Sequence, residues 1–407
     1  MSNARVASRF ARSISAIACA VALHGVAVAS PTVVADIPVG TEPRGIAVNA
    51  QTGRVYVGNL QSNTVSVIDP GSNSVVATIP VGTWPGTLSA NELTGKIYVA
   101  DQLSNDVMVI DEASAAVVAT IVGFVTPTGI AVNPQTARAY VANVDANSVS
   151  VIDTTSNSII ANIPVGANPA RLDLNPLTNR VYVPNQSSGT VSVIDGATAT
   201  VVDTIVVGNV PNRVAVDPAA NRVYVANTAS NTVSVIDGAT DAVVAVISVA
   251  PTPTGLAVHT ATNRLFVSSQ TTNTVSFFDT GSFTAAGTLI VDNNPDWVAI
   301  NQSTGRIYVG NVSSNAVSVI QDDQPGPCSP LALIQGFGLP AGSTASLTVK
   351  VNNAMGSFAR RNTTAGCNQL NALINEANAQ AGKKLTAGQA GQLISCVQQV
   401  KSGANCP

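Results

Sequence analysis

The sequence reads as an all-β protein, a seven-bladed β-propeller with four-stranded blades, followed by a small all-α C-terminal domain. Three observations predict this. A tyrosine-centred pattern recurs every 42 residues, at Tyr56, Tyr98, Tyr140, Tyr182, Tyr224, Phe266 and Tyr308. A proline keeps the same step from Pro43 to Pro295, and an aspartate does so from Asp69 to Asp279, with Gln321 in seventh place. Beyond Asp322 the β-branched alternation stops and apolar residues fall at helical spacing.

Residues 1–29 come first. They carry Arg5, Arg9 and Arg12, an apolar run from Ile14 to Ala29 broken only by Ser15, His24 and Gly25, and the closing triplet Ala27-Val28-Ala29. A basic start, a short apolar core and a small-residue end form the pattern of a secretory signal peptide. The core is too short to span a bilayer, and no later stretch has eighteen consecutive apolar residues. The mature chain is therefore expected outside the cytoplasm, as a periplasmic, secreted or cell-surface protein without a membrane span.

Residues 30–321 are the propeller. The first repeat holds four β-branched runs: RGIAVN from Arg44, RVYVGN from Arg54, TVSVID from Thr64 and VVATI from Val75. Turn clusters NAQTG, LQSN and PGSN separate them. Four strands at this period make one propeller blade, and cover from both neighbours accounts for their near-continuous apolar character. A fourth strand starts at Val75, Val117, Ile159, Val201, Val243 and Ala285, and an additional one at Val33, whereas the last repeat has GPCSP in that place. Residues 33–37 are thus expected to supply the outer strand of blade seven and close the ring, removing an open sheet edge.

The tyrosine motif occurs as YVGN, YVAD, YVAN, YVPN, YVAN, FVSS and YVGN, flanked by VSVID, IPVG and NPxT-R elements. On these residues the chain resembles the YVTN-type repeat propeller family over roughly residues 31–321. The resemblance implies an exported or surface propeller of bacteria or archaea, in a family whose members mostly lack an established biochemical activity. Function must therefore be argued from sites.

Composition narrows the options. With 45% hydrophobic and 10% charged residues the chain is not disordered. The net charge of −3 becomes −6 when the three leader arginines are set aside, and the propeller alone carries −9. Phosphate backbones are repelled by such a surface, which weighs against binding single-stranded nucleic acid through Trp84, Trp297 and nearby arginines. Seven basic residues, Arg54, Lys96, Arg138, Arg180, Arg222, Arg264 and Arg306, open the second strands. An antiparallel hairpin sets each opposite the repeated aspartate, so cross-strand ion pairs are expected.

The other three basic residues of the propeller, Arg44, Arg171 and Arg213, follow the repeated proline at the start of innermost strands, where they ring the mouth of the central channel. In a seven-fold repeat a residue kept for the fold recurs, and one kept for a ligand stands alone. Arg44, Trp84, Phe124, Arg171, Arg213, Asp296 and Trp297 stand alone at that mouth and form the candidate ligand- or partner-binding set. The alternative, that they fill and cap the channel, is open at this stage. The favoured function is a non-enzymatic binding or scaffold protein holding a protein, peptide or glycan of the cell envelope. A lactonase-like enzyme acting on a small molecule in the channel is the rival.

Catalytic chemistry is sparse. His259 is the one histidine beyond the leader, at a position held by asparagine or aspartate in the other repeats, and a turn-capping role is expected. The propeller has no cysteine nucleophile and no shared carboxylate cluster, and Asp173 and Asp217, which could bind a cation from the inner strands, read in preference as solvated or turn-bonded. No catalytic residue, metal or cofactor is assigned.

Residues 322–330 form a linker, and 331–407 a helical domain with three or four helices expected, over about 331–337, 344–361, 364–380 and 386–401, the last N-capped by Thr386. The stretch AGCNQLNALINEANAQAGKKLT resembles the small FIMAH modules at the C-termini of exported bacterial proteins, which implies no defined role. Four cysteines, Cys328, Cys367, Cys396 and Cys406, suit two disulfides in an exported chain and include no C-x-x-C zinc pair. Three connectivities are possible. If the last two helices run antiparallel, Cys367 meets Cys406 and Cys328 is left for Cys396.

Overall fold

In a computed structural model the described residues are 30–322, 330–337, 339–359, 362–403 and 406. The proposed signal peptide and Cys328 lie outside them. Residues 32–321 form seven four-stranded antiparallel sheets, six of them hydrogen-bonded in sequence order from the inside out. Blade one is typical, with strands Pro43–Val48, Val55–Asn59, Thr64–Asp69 and Ser74–Pro80. The second and third strands are buried on both faces because neighbouring blades cover them. The repeated tyrosines, with Phe266, are the largest of these side chains and are almost completely buried. Their hydroxyls reach toward the next blade, as when Tyr98 donates to the carbonyl of Thr154 (3.2 Å).

Blade seven is completed from the N-terminus. Strand Thr32–Pro38 pairs antiparallel with Ala316–Gln321, matching Ile37 to Val317. Ile37 buries its side chain in a core shared by blades one and seven, so closure joins covalent ends through packing as well as backbone hydrogen bonds.

The Arg–Asp register is as expected, with Arg138 opposite Asp153 and Arg180 opposite Asp195, but the ion pairs are not. Only Lys96 reaches its partner, Asp111 at 2.8 Å, among the described residues. Elsewhere the aspartate turns back onto its own tight turn, as Asp153 does in accepting Thr155 N (2.7 Å), and these backbone bonds hold its carboxyl below the usual range. The longer arginine then reaches the next blade: Arg138 donates to the carbonyl of Gly196, Arg180 to Asp241, and Arg306 to the carbonyl of Pro70 across the closure. Lys96 apart, the basic ring is a set of inter-blade staples.

The described residues of the C-terminal part form four helices, α1 (Pro330–Gly336), α2 (Ala341–Ala359), α3 (Thr363–Gln380) and α4 (Ala387–Gly403). Their shared core includes Ile334, Leu347, Leu370, Leu373, Leu393 and Val397. Thr386 and Gln389 cap α4 reciprocally, Thr386 Oγ1 accepting Gln389 N and Gln389 Oε1 accepting Thr386 N. A disulfide joins Cys367 at the start of α3 to Cys406 beyond α4. Cys396, also disulfide-bonded, is buried. No helix among the described residues is long and apolar enough to cross a membrane.

Candidate functional site

The innermost strands surround the channel, and three columns of the repeat face it. The first holds Arg44, Gly86, Thr128, Ala170, Asn212, Thr254 and Asp296. The second holds Gly45, Thr87, Gly129, Arg171, Arg213, Gly255 and Trp297. The third holds Ala47, Ser89, Ala131, Asp173, Ala215, Ala257 and Ala299. Glycine and alanine keep the wall thin where the blades crowd together: a Cβ on Gly129 would lie 2.5 Å from the carbonyl oxygen of Ala170 in the next blade. Every large side chain in these columns is a departure from the repeat.

Those departures meet in the middle. Asp296 of blade seven is buried and accepts from Arg171 of blade four through Nη2 (3.0 Å) and Nη1 (3.4 Å), from Arg44 of blade one (3.2 Å) and from Gln270 of blade six (3.4 Å). Arg213 of blade five lays its guanidinium on Trp297, 3.3 Å above the ring centroid, and donates through Nη2 to the Val298 carbonyl (3.1 Å). Burial, reinforced by the charge of Arg171, pushes Arg213 down to about 9. Arg171 and Arg213 also approach through the backbone, where Arg171 N bonds to the Asn212 carbonyl (3.2 Å) and Val214 N to that of Arg171 (3.2 Å). A plug of side chains drawn from five blades thus spans the channel.

The plug separates two chambers. The outer one, about 400 Å³, lies on the loop face and is lined by Glu42, Arg44, Gln61, Trp84, Gln102 and Asn212 among others. The inner one, about 240 Å³, is lined by Thr87, Ser89, Asp173, Arg213 and Trp297 among others, and extends to Gln302, which is exposed. Arg171 belongs to both walls.

The candidate set therefore divides. Arg44, Trp84 and Arg171 line the outer vestibule. Arg213, Asp296 and Trp297 are buried in the plug, at 9%, 0% and 8% exposure, and are not at an exposed mouth. Phe124 is a correction of a different kind. It packs with Ile121, Ile130 and Val132 in the core of blades two and three, because an aromatic in an otherwise apolar loop finds more area to bury between blades than over the channel.

Trp84 shows what the fold fixes and what it does not. It sits in the left-handed region, with φ 63°, just before the repeated proline. Glu42, Thr126, Asn168, Val210, Thr252 and Asn294 do the same in the other blades. An asparagine 21 residues upstream holds this turn, Asn63 Oδ1 accepting Trp84 N (3.1 Å) as Asn147 Oδ1 accepts Asn168 N (2.8 Å). The backbone is common to all repeats, and the indole is peculiar to this one.

His259 is fully buried away from both chambers. Its Nδ1 donates to Asp322 (2.6 Å), which also accepts from Thr262 (2.6 Å) and Arg264. Burial alone would raise Asp322, but these donors outweigh it and hold the carboxyl below its ordinary value. The same positions in blade one are Asn49, Thr52 and Arg54, with Glu112 in the place of Asp322. The cluster is therefore an inter-blade joint. Asp322, at the head of the stretch read as a linker, serves Arg264 of blade six rather than Arg306 of its own blade.

Asp217 caps its own turn, accepting Ala219 N and Ala220 N (3.1 Å each). Asp173 accepts Leu174 N (2.8 Å) and Val216 N (3.0 Å), while keeping exposure to the inner chamber; burial pushes its carboxyl up to about 6. No group of three or more histidine, cysteine, aspartate and glutamate side chains suited to a metal occurs among the described residues. Thr87 and the plug itself were not singled out in the sequence; the second and third columns held the signal, since six of their fourteen residues depart from glycine and alanine.

No family model matches the chain, and no curated protein does. Solved structures match widely, with 1398 such chains. One is hydrazine synthase of Kuenenia stuttgartiensis, 18% identical, covering 69% of this chain and 95% of that one with a TM-score of 0.62. The likeness establishes the fold. At this identity, and among so many matches, it assigns no activity.

Proposed function

We propose that this is an exported, non-enzymatic binding propeller of the YVTN type, whose vestibule holds the end of a glycan or peptide chain of the cell envelope. The vestibule carries this reading. It is about 400 Å³, sized for two or three sugar or amino-acid units rather than a broad protein face, and it is closed below by the plug. Trp84 offers a ring face for stacking, and Gln61, Gln102 and Asn212 offer amides that both donate and accept. Arg44 and Glu42 add one charge of each sign. Export accords with a disulfide-bonded helical region and with the leader-like first 29 residues.

A non-enzymatic role is supported by where the reactive groups are spent: the imidazole of His259 serves an inter-blade joint, and the plug arginines serve Asp296 and Trp297. The test is a binding array of envelope peptides and oligosaccharides probed with the native chain and with Trp84→Asn. Asparagine occupies the equivalent turn in two other blades, so the variant should fold normally and lose at least tenfold in affinity. Undiminished binding by a folded Trp84→Asn protein would refute the vestibule reading.

A further inference from the structure

The loops around the vestibule are unlike in side chain, although the repeat makes their backbones equivalent. Each blade brings two of them to this face, one entering the innermost strand and one joining the second strand to the third. Backbone bonds hold the two side by side, as in blade two, where Leu103 N donates to the Thr83 carbonyl (3.0 Å) and Gln102 N to that of Trp84 (2.9 Å). At the positions that Thr83, Trp84 and Leu103 represent, large apolar residues occur four times among the twenty-one of the ring: Trp84, Leu103, Val125 and Val210. Val210 belongs to blade five, and the other three sit on blades two and three.

Hydrogen bonds join the loops of those three across the blade boundary. Asn105 Oδ1 accepts Thr126 N (2.7 Å), which ties the Leu103 loop to the Val125 loop. Leu103 and Val125 are 53% and 47% exposed. Phe124, buried in the core, anchors the loop that presents Val125. Exposed apolar side chains grouped beside a cleft mark an interaction surface, which isolated ones do not.

Free charge on this face is acidic. Among the described residues, the charged side chains that keep exposure in these loops and the strand starts behind them are Glu42, Asp145 and Asp292, with Arg44 and Arg171. Both arginines are engaged by Asp296. Asp145 is exposed and accepts Thr126 Oγ1 (2.5 Å), one residue from Val125. An aliphatic shelf with a carboxylate at its edge thus leads out of the vestibule past Trp84.

We propose that the vestibule's partner is a polypeptide rather than a glycan, lying extended across blades two and three with an aliphatic side chain on Leu103 and Val125 and a lysine or arginine facing Asp145. This rests on the vestibule reading and narrows it. Aliphatic side chains give a sugar's hydroxyls no hydrogen-bond partner, whereas a leucine or valine packed on them leaves water. Side chains two apart in an extended chain share one side at a spacing of about 7 Å. The recognised segment is therefore an aliphatic residue followed two places later by a basic one.

The probe is a fluorescein-labelled octapeptide of serine and glycine carrying one Leu-Ser-Lys segment, followed by anisotropy with the full chain. It should bind saturably, a Ser-Ser-Lys version should bind about tenfold more weakly, and a Leu-Ser-Glu version should be weaker at low salt. An N-acetylglucosamine tetramer should not displace it. Leu103→Ser combined with Val125→Thr installs residues that other blades carry there, Ser187 and Ser313 for one and Thr41 and Thr83 for the other, so the fold is kept. This double variant should weaken binding about tenfold. Asp145→Ser should weaken it about two- to fivefold at low salt, an effect that disappears near about 1 M salt. No saturable binding, equal binding of the Leu-Ser-Glu peptide at low salt, displacement by the sugar, or unchanged affinity in the folded double variant would each overturn the proposal. Loss of binding in Trp84→Asn without loss in the double variant would overturn it too, while leaving the vestibule reading intact.

Discussion

Arg213 stacks on Trp297 within the channel, joining blade five to blade seven with 3.3 Å between the guanidinium carbon and the ring centroid. The pair is desolvated, so the cation–π attraction is stronger than at a surface, about 2 kcal/mol. It also makes the two tryptophans energetically unlike. Trp297→Ala empties a buried indole site and should cost about 3–5 kcal/mol, whereas Trp84→Asn, at a half-buried loop position, should stay within about 0.5 kcal/mol of the native protein. Urea unfolding of the two variants checks the difference.

Asp101 departs from the repeat in a way that predicts a pH dependence. Asparagine fills its position in five blades, where the side-chain amide bonds a strand serine, as Asn59 does with Ser66 (2.9 Å). In Asp101 both carboxyl oxygens are buried without partners, and burial together with the charge of Asp106 raises it to about 8. The folded state therefore binds this proton more tightly than the unfolded chain does, and stability is lost as pH rises from the ordinary carboxyl value toward 8. Asp101→Asn should change little near pH 4 and should stabilise increasingly up to about pH 8, by on the order of a few kcal/mol. Melting curves of both proteins from pH 4 to 9 measure this.

The strand Thr32–Pro38 closes the ring. Its removal would expose the Ala316–Gln321 edge and the cavity vacated by Ile37. A chain beginning after Pro38 should lose cooperative unfolding or precipitate, and an unchanged melting temperature would contradict the closure.

The Cys367–Cys406 disulfide spans 39 residues and should stabilise the helices by about 2–4 kcal/mol. Mild reduction should therefore lower the helical transition, followed at 222 nm, while tryptophan fluorescence from the propeller stays unchanged.

The blades, their number, the closure and the Cys367–Cys406 link were all legible in the sequence, because each depends on spacing or on short-range pairing. What the repeat could not convey was reach. Arg138 and Asp153 are in register, yet the aspartate is taken by its own turn and the arginine by the next blade. Arg171 and Asp296 lie 125 residues apart and meet only because the channel is narrow enough for one side chain to cross it. The columns reveal which face a residue occupies; side-chain length and channel width decide whether it lines a mouth or plugs it.

The central claim is that the channel is closed by Trp297 and its partners, leaving Trp84 on an open vestibule. Acrylamide quenching of two single-tryptophan proteins, Trp84→Phe and Trp297→Phe, measures it most directly. The claim predicts that Trp84 is quenched severalfold more readily than Trp297. Equal quenching of both indoles would show that the plug is open and would contradict it.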